Sequence, residues 1–292
     1  MVSGRELYLW REQAKQAAIA AQVSPAEVDW LLRELAGLDS LALRLELFST
    51  QEQVPLTQSF SQLKDLWQQR IEQRLPVQYL AGTTPWRHFR LKVSPAVLIP
   101  RPETELIIDI ARQAVGEELQ AGHWVDLGTG SGAIALGLAE NFPQGTVHGV
   151  DVSAVALAVA RENAVNLGLR AKIHFYQGNW WSPLAHLKGK VSGMVANPPY
   201  IPTADIQQLQ PEVVRHEPHL ALDGGTDGLK HIRHLIEVST EYLRPGGIWL
   251  IEMMAGQGAI ITQMLQNQGN YHKIQLLPDL AGIERFTLAY RR

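Results

Sequence analysis

The chain contains no cysteine. Disulfides, a thiolate nucleophile and cysteine-ligated metal are thereby excluded. The absence fits a reducing compartment, and a cytoplasmic location is expected. Long apolar runs are missing too. Nothing approaches the ~18–20 residues needed to cross a bilayer, and the stretch from Ala17 to Val23 is short and broken by Gln22. Neither a secretory leader nor a membrane partner is expected. Positive charge is not in excess: 26 Lys and Arg stand against 29 Asp and Glu, a net charge of −3. No global basic field of the kind that grips a duplex exists, so no stable nucleic-acid binding is expected. Internal repeats and low-complexity tracts are also absent. What remains is 292 residues with an ordinary apolar fraction of 46%. Such a length suits one large or two modest domains, at roughly 100–200 residues each, with a sizeable core.

Periodicity divides the chain. Residues 1–77 read as helices only. Ser24-Pro25-Ala26-Glu27 has the form of a capping box, followed by Val28, Leu31, Leu32 and Leu35 on one face, with Gly37 as a stop. A later helix carries Phe60, Leu63, Trp67 and Ile71 at helical spacing and ends before Pro76. Its charges, Lys64, Asp65, Arg70 and Glu72, fall largely on the opposite side, so the aromatics read as core. A small helical bundle is the simple architecture. Residues 78–102, punctuated by Gly82, Pro85, Pro95, Pro100 and Pro102, read as a β-hairpin linker. From 103 to 292 strand and helix signals alternate. Strands are predicted at Trp124 to Leu127, Thr146 to Val150, Lys172 to Tyr176, Met194 to Ala196, Ile248 to Glu252, Lys273 to Leu277 and Phe286 to Tyr290. The pattern predicts an α/β fold with a doubly wound, mostly parallel sheet, and the last two strands, with no helix between them, an antiparallel pair at one edge.

Two motifs carry chemistry. In Asp126-Leu127-Gly128-Thr129-Gly130-Ser131-Gly132-Ala133 a glycine loop leaves a strand and opens a helix. Glycines permit a tight turn and close approach to a ligand, and the helix start offers free N–H groups. The next strand ends in Asp151, placed to take both hydroxyls of a ribose. Together they favour an adenosine-bearing cofactor. Gly128, Gly130 and Ala133 also satisfy the dinucleotide pattern, so on this motif alone an NAD-dependent oxidoreductase is a rival. Asn197-Pro198-Pro199-Tyr200 breaks the tie. It ends the apolar run Met194-Val195-Ala196 in a stiff loop, because proline cannot continue a sheet ladder. An asparagine Oδ1 and a backbone carbonyl there can accept both hydrogens of a planar NH2 group. In an open α/β sheet, these loops, the Asn179-Trp180 turn included, gather at the carboxyl ends of the strands, with Trp180 near the adenine.

On these residues the chain resembles the protein-(glutamine-N5) methyltransferases that modify peptide chain release factors, the PrmC/HemK family. The stretches are Gln78-Tyr79-Leu80-Ala81-Gly82, Leu98-Ile99-Pro100-Arg101-Pro102-Glu103-Thr104-Glu105, Val125 to Leu136, Asn197 to Ile201, Glu217-Pro218 with Ala221-Leu222, and Asp227-Gly228-Leu229. The Leu98–Glu105 stretch is specific. The glycine loop is shared with many methyltransferases, and Asn-Pro-Pro-Tyr also with DNA adenine methyltransferases. The resemblance implies a class I S-adenosylmethionine-dependent methyltransferase domain, Rossmann-like, behind a helical N-terminal domain that meets the partner protein. It also implies that Gly128, Thr129, Gly130, Ser131 and Gly132 hold the methionine part of S-adenosylmethionine, Asp151 the ribose and Trp180 the adenine. Asn197 touches cofactor and substrate and, with Pro198, does the catalytic orienting; Pro199 and Tyr200 complete the glutamine pocket. The implied substrate is the glutamine of a Gly-Gly-Gln loop in a release factor. Two positions depart from the family pattern: Asn179 stands where Asp is frequent, and Gly193 where an Asp usually precedes the fourth strand.

Three other readings compete. A DNA adenine-N6 methyltransferase would use the same loop, but needs a basic cleft and base flipping. A non-catalytic release-factor-binding module would not need the complete cofactor set. An oxidoreductase lacks an evident catalytic pair. His216, Glu217 and His219 fall short of a convincing ligand set, so no metal is expected.

Overall fold

The computed structural model describes all residues from Met1 to Arg292, which divide into two compact units. The first comprises Met1–Thr83 together with Gln210–His216. Helices Gly4–Ala20, Ala26–Ala36, Ser40–Arg44, Phe60–Gln73 and Val77–Ala81 surround a core that includes Leu7, Leu31, Leu32, Phe48, Leu63 and Trp67. Capping boxes open two of them, Ser3 with Glu6 and Ser59 with Gln62, each side chain answering the other's backbone N–H. The box expected at Ser24–Glu27 does not form. Pro25 sits at the N-cap without a side-chain bond, and Glu27 instead takes the Arg70 guanidinium through two bonds of 2.6 and 2.9 Å. The ion pair outweighs a cap because Arg70 is only 4% exposed and a buried charge needs a partner. Arg70 therefore does not share the solvated side with Lys64 and Asp65. Glu212, from the returning segment, lies 2.8 Å from both Arg70 and Arg74. Gly37 ends its helix at φ 62°, as a left-handed C-cap.

The expected hairpin is shorter than the stretch assigned to it. Residues Val77–Ala81 are helical, and the hairpin is β1 (Thr83–Trp86) and β2 (Phe89–Lys92). Trp86, Phe89 and Leu91 join the core of the second unit, Thr84–Leu209 with Glu217–Arg292.

That unit is built on a seven-stranded sheet: β3 (His123–Leu127), β4 (Thr146–Asp151), β5 (Ile173–Gln177), β6 (Val191–Ala196), β7 (Leu243–Glu252), β8 (Tyr271–Pro278) and β9 (Glu284–Arg291). Their order is β5-β4-β3-β6-β7-β9-β8. The first five are parallel, and β9 pairs antiparallel with both β7 and β8, leaving β8 at the edge. Alternate residues feed two apolar layers. Trp124, Val147 and Val195 enter one; Val125, Val150, Met194 and Ala196 enter the other. Burial on both faces explains why these strands read as continuous apolar runs. Gly193 lies within β6 rather than ahead of it, and a Cβ there would meet the Trp124 ring at 2.3 Å. The Trp124 ring fills the space an aspartate would need. Strand order reverses between β3 and β6, the switch point beside which open sheets bind ligands.

Candidate active site

The glycine loop leaves β3 and folds back on β4. The N–H groups of Gly128 and Thr129 both donate to the Val150 carbonyl at 2.9 Å. Gly128, Gly130 and Gly132 adopt φ of 79°, 55° and 87°, values open to glycine at little cost. Gly132 also touches the helix Ala154–Asn166, where a Cβ would lie 3.2 Å from that of Ala160. Asp126, fully buried, holds the loop from beneath: its Oδ2 accepts from Thr129 Oγ1 at 2.5 Å and from the Ala135 N–H at 3.0 Å. It thus caps the helix Ala133–Asn141 from a strand. Burial pushes its carboxyl up to about 7, against the pull of those two bonds.

One cavity opens at this edge of the sheet, lined by Gly128, Gly130, Asp151, Trp180, Asn197 and Pro199. Asn179 and His231 line it as well, with Ala96–Leu98 on one wall and Pro218, Leu220 and Ala221 on another. These two walls are tied by Glu217, 4% exposed, whose carboxylate accepts from Arg101 Nη2 at 2.6 Å and from the Ile99 N–H at 3.2 Å. Asp151 accepts from the Gly130 N–H through Oδ2 and from the Ser153 N–H through Oδ1, both at 2.9 Å. Burial raises its pKa, and those backbone bonds oppose the rise. Trp180, at φ 51°, lays its ring over Gly128, whose Cβ would meet it at 3.5 Å. Trp181 is core instead, stacked on Tyr242 and donating to Ser239.

Thr129, Ser131, Gly132, Pro198 and Tyr200 do not line the cavity. The first three shape the loop: Thr129 faces Asp126, and the Ser131 carbonyl accepts from Asn163 Nδ2 at 2.9 Å. Asn163, 1% exposed, also exchanges two bonds with the Lys92 backbone and so fastens β2 to the loop. Tyr200 turns its hydroxyl to Glu252, 3.2 Å away. Glu217 is committed to Arg101, and His216 to the Gln73 carbonyl in the helical unit. No group of three or more His, Cys, Asp or Glu side chains is arranged to hold a metal ion. The sequence reading gave no role to Asp126, Asn163, Thr104 or Glu252. Glu252 did leave a signal, since it is, like Asp151, an acid ending a buried parallel strand.

The donor set suits S-adenosylmethionine. Nothing lies within 4 Å of a Cβ built on Gly130, so ligand atoms can approach its backbone. A half-buried carboxylate stands at the second strand's end, and an indole face forms a wall. These features match an adenosine carrying a small charged chain.

Known proteins align with this arrangement. Residues 104–226 match the family model of the methyltransferase small domain. A release factor glutamine methyltransferase of Synechocystis sp. is 53% identical over 99% of this chain and 97% of its own. That of Thermosynechococcus vestitus is 44% identical over 99% of both chains. Among solved structures, the hMettl16 catalytic domain in complex with a 3'UTR hairpin superposes with a TM-score of 0.55 at 15% identity. The match covers 82% of this chain and 83% of that one, a likeness of fold alone. At these identities over nearly the whole length, the chain belongs to the release factor glutamine methyltransferase family.

Proposed function

We propose that this protein transfers a methyl group from S-adenosylmethionine to the side-chain amide nitrogen of the glutamine in the Gly-Gly-Gln motif of peptide chain release factors, in the cytoplasm. The observation that carries the reading is the meeting of Asn197 and Pro199 with Gly128, Gly130 and Asp151 on one cavity. Similarity to full-length relatives of that name directs the site to a protein glutamine.

Bound S-adenosylmethionine supplies a methyl group activated by a sulfonium. Asp151 would accept from the ribose hydroxyls, Trp180 would pack against the adenine, and the loop Gly128–Gly132 would present backbone N–H groups to the amino-acid end. Asn179 in place of an aspartate keeps one side-chain acceptor and gives up a charge. A glutamine amide is a poor nucleophile because its lone pair is delocalised into the carbonyl. Asn197 Oδ1 and the Pro198 carbonyl would accept its two hydrogens and aim the nitrogen, while Pro199, on the cavity wall, would lie against its plane. As positive charge builds on that nitrogen the two acceptors bind more strongly, which stabilises the transition state. Holding the reacting atoms about 3–3.5 Å apart supplies a further part of the rate. No base is needed before attack, because the product loses its proton readily. The helical unit would receive the release factor.

The test is to incubate the protein with labelled S-adenosylmethionine and purified release factor, then locate the label by peptide mass mapping. Label on the Gly-Gly-Gln glutamine is expected. Label on DNA adenine, or none on glutamine, would overturn the reading.

A further inference from the structure

We propose that Glu252 is a positioning residue that, through Thr104, fixes which end of the Asn197 amide faces the substrate. The proposal rests on the reading above that Asn197 Oδ1 is a substrate acceptor.

The geometry is a chain of three side chains from distant elements. Asn197 Nδ2 donates to Thr104 Oγ1 at 3.3 Å, and Thr104 Oγ1 donates to Glu252 Oε2 at 2.6 Å. The other Glu252 oxygen accepts from the Tyr200 hydroxyl at 3.2 Å. Register brings the ends together: Ala196 pairs with Ile251 across β6 and β7, so Asn197 and Glu252 leave the sheet side by side. Glu252 is 1% and Thr104 5% exposed, so water does not compete for these bonds.

Direction follows from chemistry. An ionised carboxylate only accepts, so the Thr104 hydroxyl must spend its single proton on Glu252. The hydroxyl oxygen is then left as an acceptor, and only the NH2 end of Asn197 can satisfy it. Asn197 Oδ1 is thereby turned away from Thr104 and left free for a donor. Without that bias the amide can flip, and a flipped amide offers a donor where the substrate also brings donors. A buried mismatch of that kind is costly. Tyr200 supports the same direction: burial, with the nearby carboxylate of Glu252, raises its pKa and keeps its O–H a donor.

Protonation of Glu252 would reverse the chain, because its own O–H could donate to Thr104 and release the threonine proton toward Asn197. Several groups act on this equilibrium. Burial raises the Glu252 pKa and Glu103 adds to the rise, while the Thr104 and Tyr200 hydroxyls and Arg285 oppose it. The folded pKa therefore lies above the ordinary 4.5. The correctly directed chain is present above it and is lost as pH falls through it.

Methyl transfer to release factor is measured across pH for wild type, Glu252→Gln, Thr104→Val, the double variant, Thr104→Ser and Asn197→Ala, with S-adenosylmethionine affinity by calorimetry. Thr104→Val should lower kcat by about 10-fold or more, with cofactor affinity and release-factor KM little changed, and Glu252→Gln, whose Oε1 still accepts from Thr104, should slow turnover less. The double variant should be no slower than Thr104→Val, because both act through one chain. Thr104→Ser, which keeps the hydroxyl, should recover kcat, and Glu252→Gln should lose the acid limb of the wild-type profile. Additive losses, an unchanged acid limb, or wild-type kcat in Thr104→Val would overturn the proposal. Should Glu252→Gln fail to fold, the Thr104 pair still decides it. Wild-type kcat in Asn197→Ala would instead overturn the underlying reading of the acceptor.

Discussion

Asn197 and Asp151 end neighbouring halves of one sheet and ask for opposite outcomes when removed. Asn197 is oriented by Thr104 and faces the cavity beside Pro199. In the proposed mechanism its truncation would take away an interaction that strengthens as charge develops, so the loss should belong to turnover. Asp151 already holds the Gly130 and Ser153 N–H groups with one lone pair of each oxygen, leaving others for a diol. Asp151→Ala should therefore weaken S-adenosylmethionine binding, by about 1.5–3 kcal/mol for bonds to a charged acceptor. Titration calorimetry against the wild type measures it, and unchanged affinity would remove Asp151 from the cofactor site. Both residues were legible in the sequence because each follows a strand whose apolar run marks its end. Asp126 was not, although it stands in the same motif, because only the fold shows its carboxylate turned inward on Thr129 and Ala135.

Among the elements, the segment Gln210–His216 departs most from the reading by sequence. It falls between residues of the α/β unit yet belongs to the helical one. The helix Phe60–Gln73 and its C-cap Arg74 hold it: Arg70 and Arg74 meet Glu212, and the Gln73 carbonyl meets His216. The same Arg70 binds Glu27, so one guanidinium joins three stretches of chain. Arg70→Ala leaves the partly buried Glu27 carboxylate without its partner and Glu212 with Arg74 alone. A loss of about 3 kcal/mol in the stability of the helical unit is expected, at the lower end of the range for breaking a buried pair. Thermal or urea unfolding of the variant checks it, and a midpoint equal to the wild type's would show the cluster to be worth little. Helical spacing alone put Arg70 on the outside; its burial follows from a segment some 140 residues later, a contact no local pattern carries.

At the scale of the whole molecule, one histidine cluster makes an acid-sensitive contribution to stability, while the raised carboxyl of buried Asp126 acts in the opposite direction. His123, His148, His174 and His186 gather with Tyr176 on one face of the sheet. His148 is 3% exposed, with its Nε2 3.1 Å from His123 Nδ1 and its Nδ1 unpartnered. Burial first, then the neighbouring histidines, lowers its pKa from 6.5 to about 3, and His123 shifts in the same direction. In the unfolded chain both titrate at ordinary values. Between pH 6.5 and 3 the unfolded state thus binds more protons, so this contribution to stability is complete above pH 6.5 and falls away as pH drops. His148→Phe keeps an aromatic ring and removes one of these protons. Its urea midpoint should fall less than the wild type's between pH 7 and pH 5. Parallel slopes for the two proteins would contradict the assignment.

The sequence by itself determined the chemistry of the loops and the alternation that builds the sheet. Glycine at left-handed positions, a carboxylate after a buried strand and proline at a strand's end are local facts, each forced by backbone geometry within a few residues. The tertiary structure alone decided which side chains act together. Thr104 lies 93 positions from Asn197 and 148 from Glu252, and they meet because β6 and β7 pair in one register. A shift of one residue would turn every side chain of a strand to the other face and break the chain. The sequence could thus propose an acceptor at Asn197, and only the fold shows its amide bonded to Thr104 and through it to Glu252.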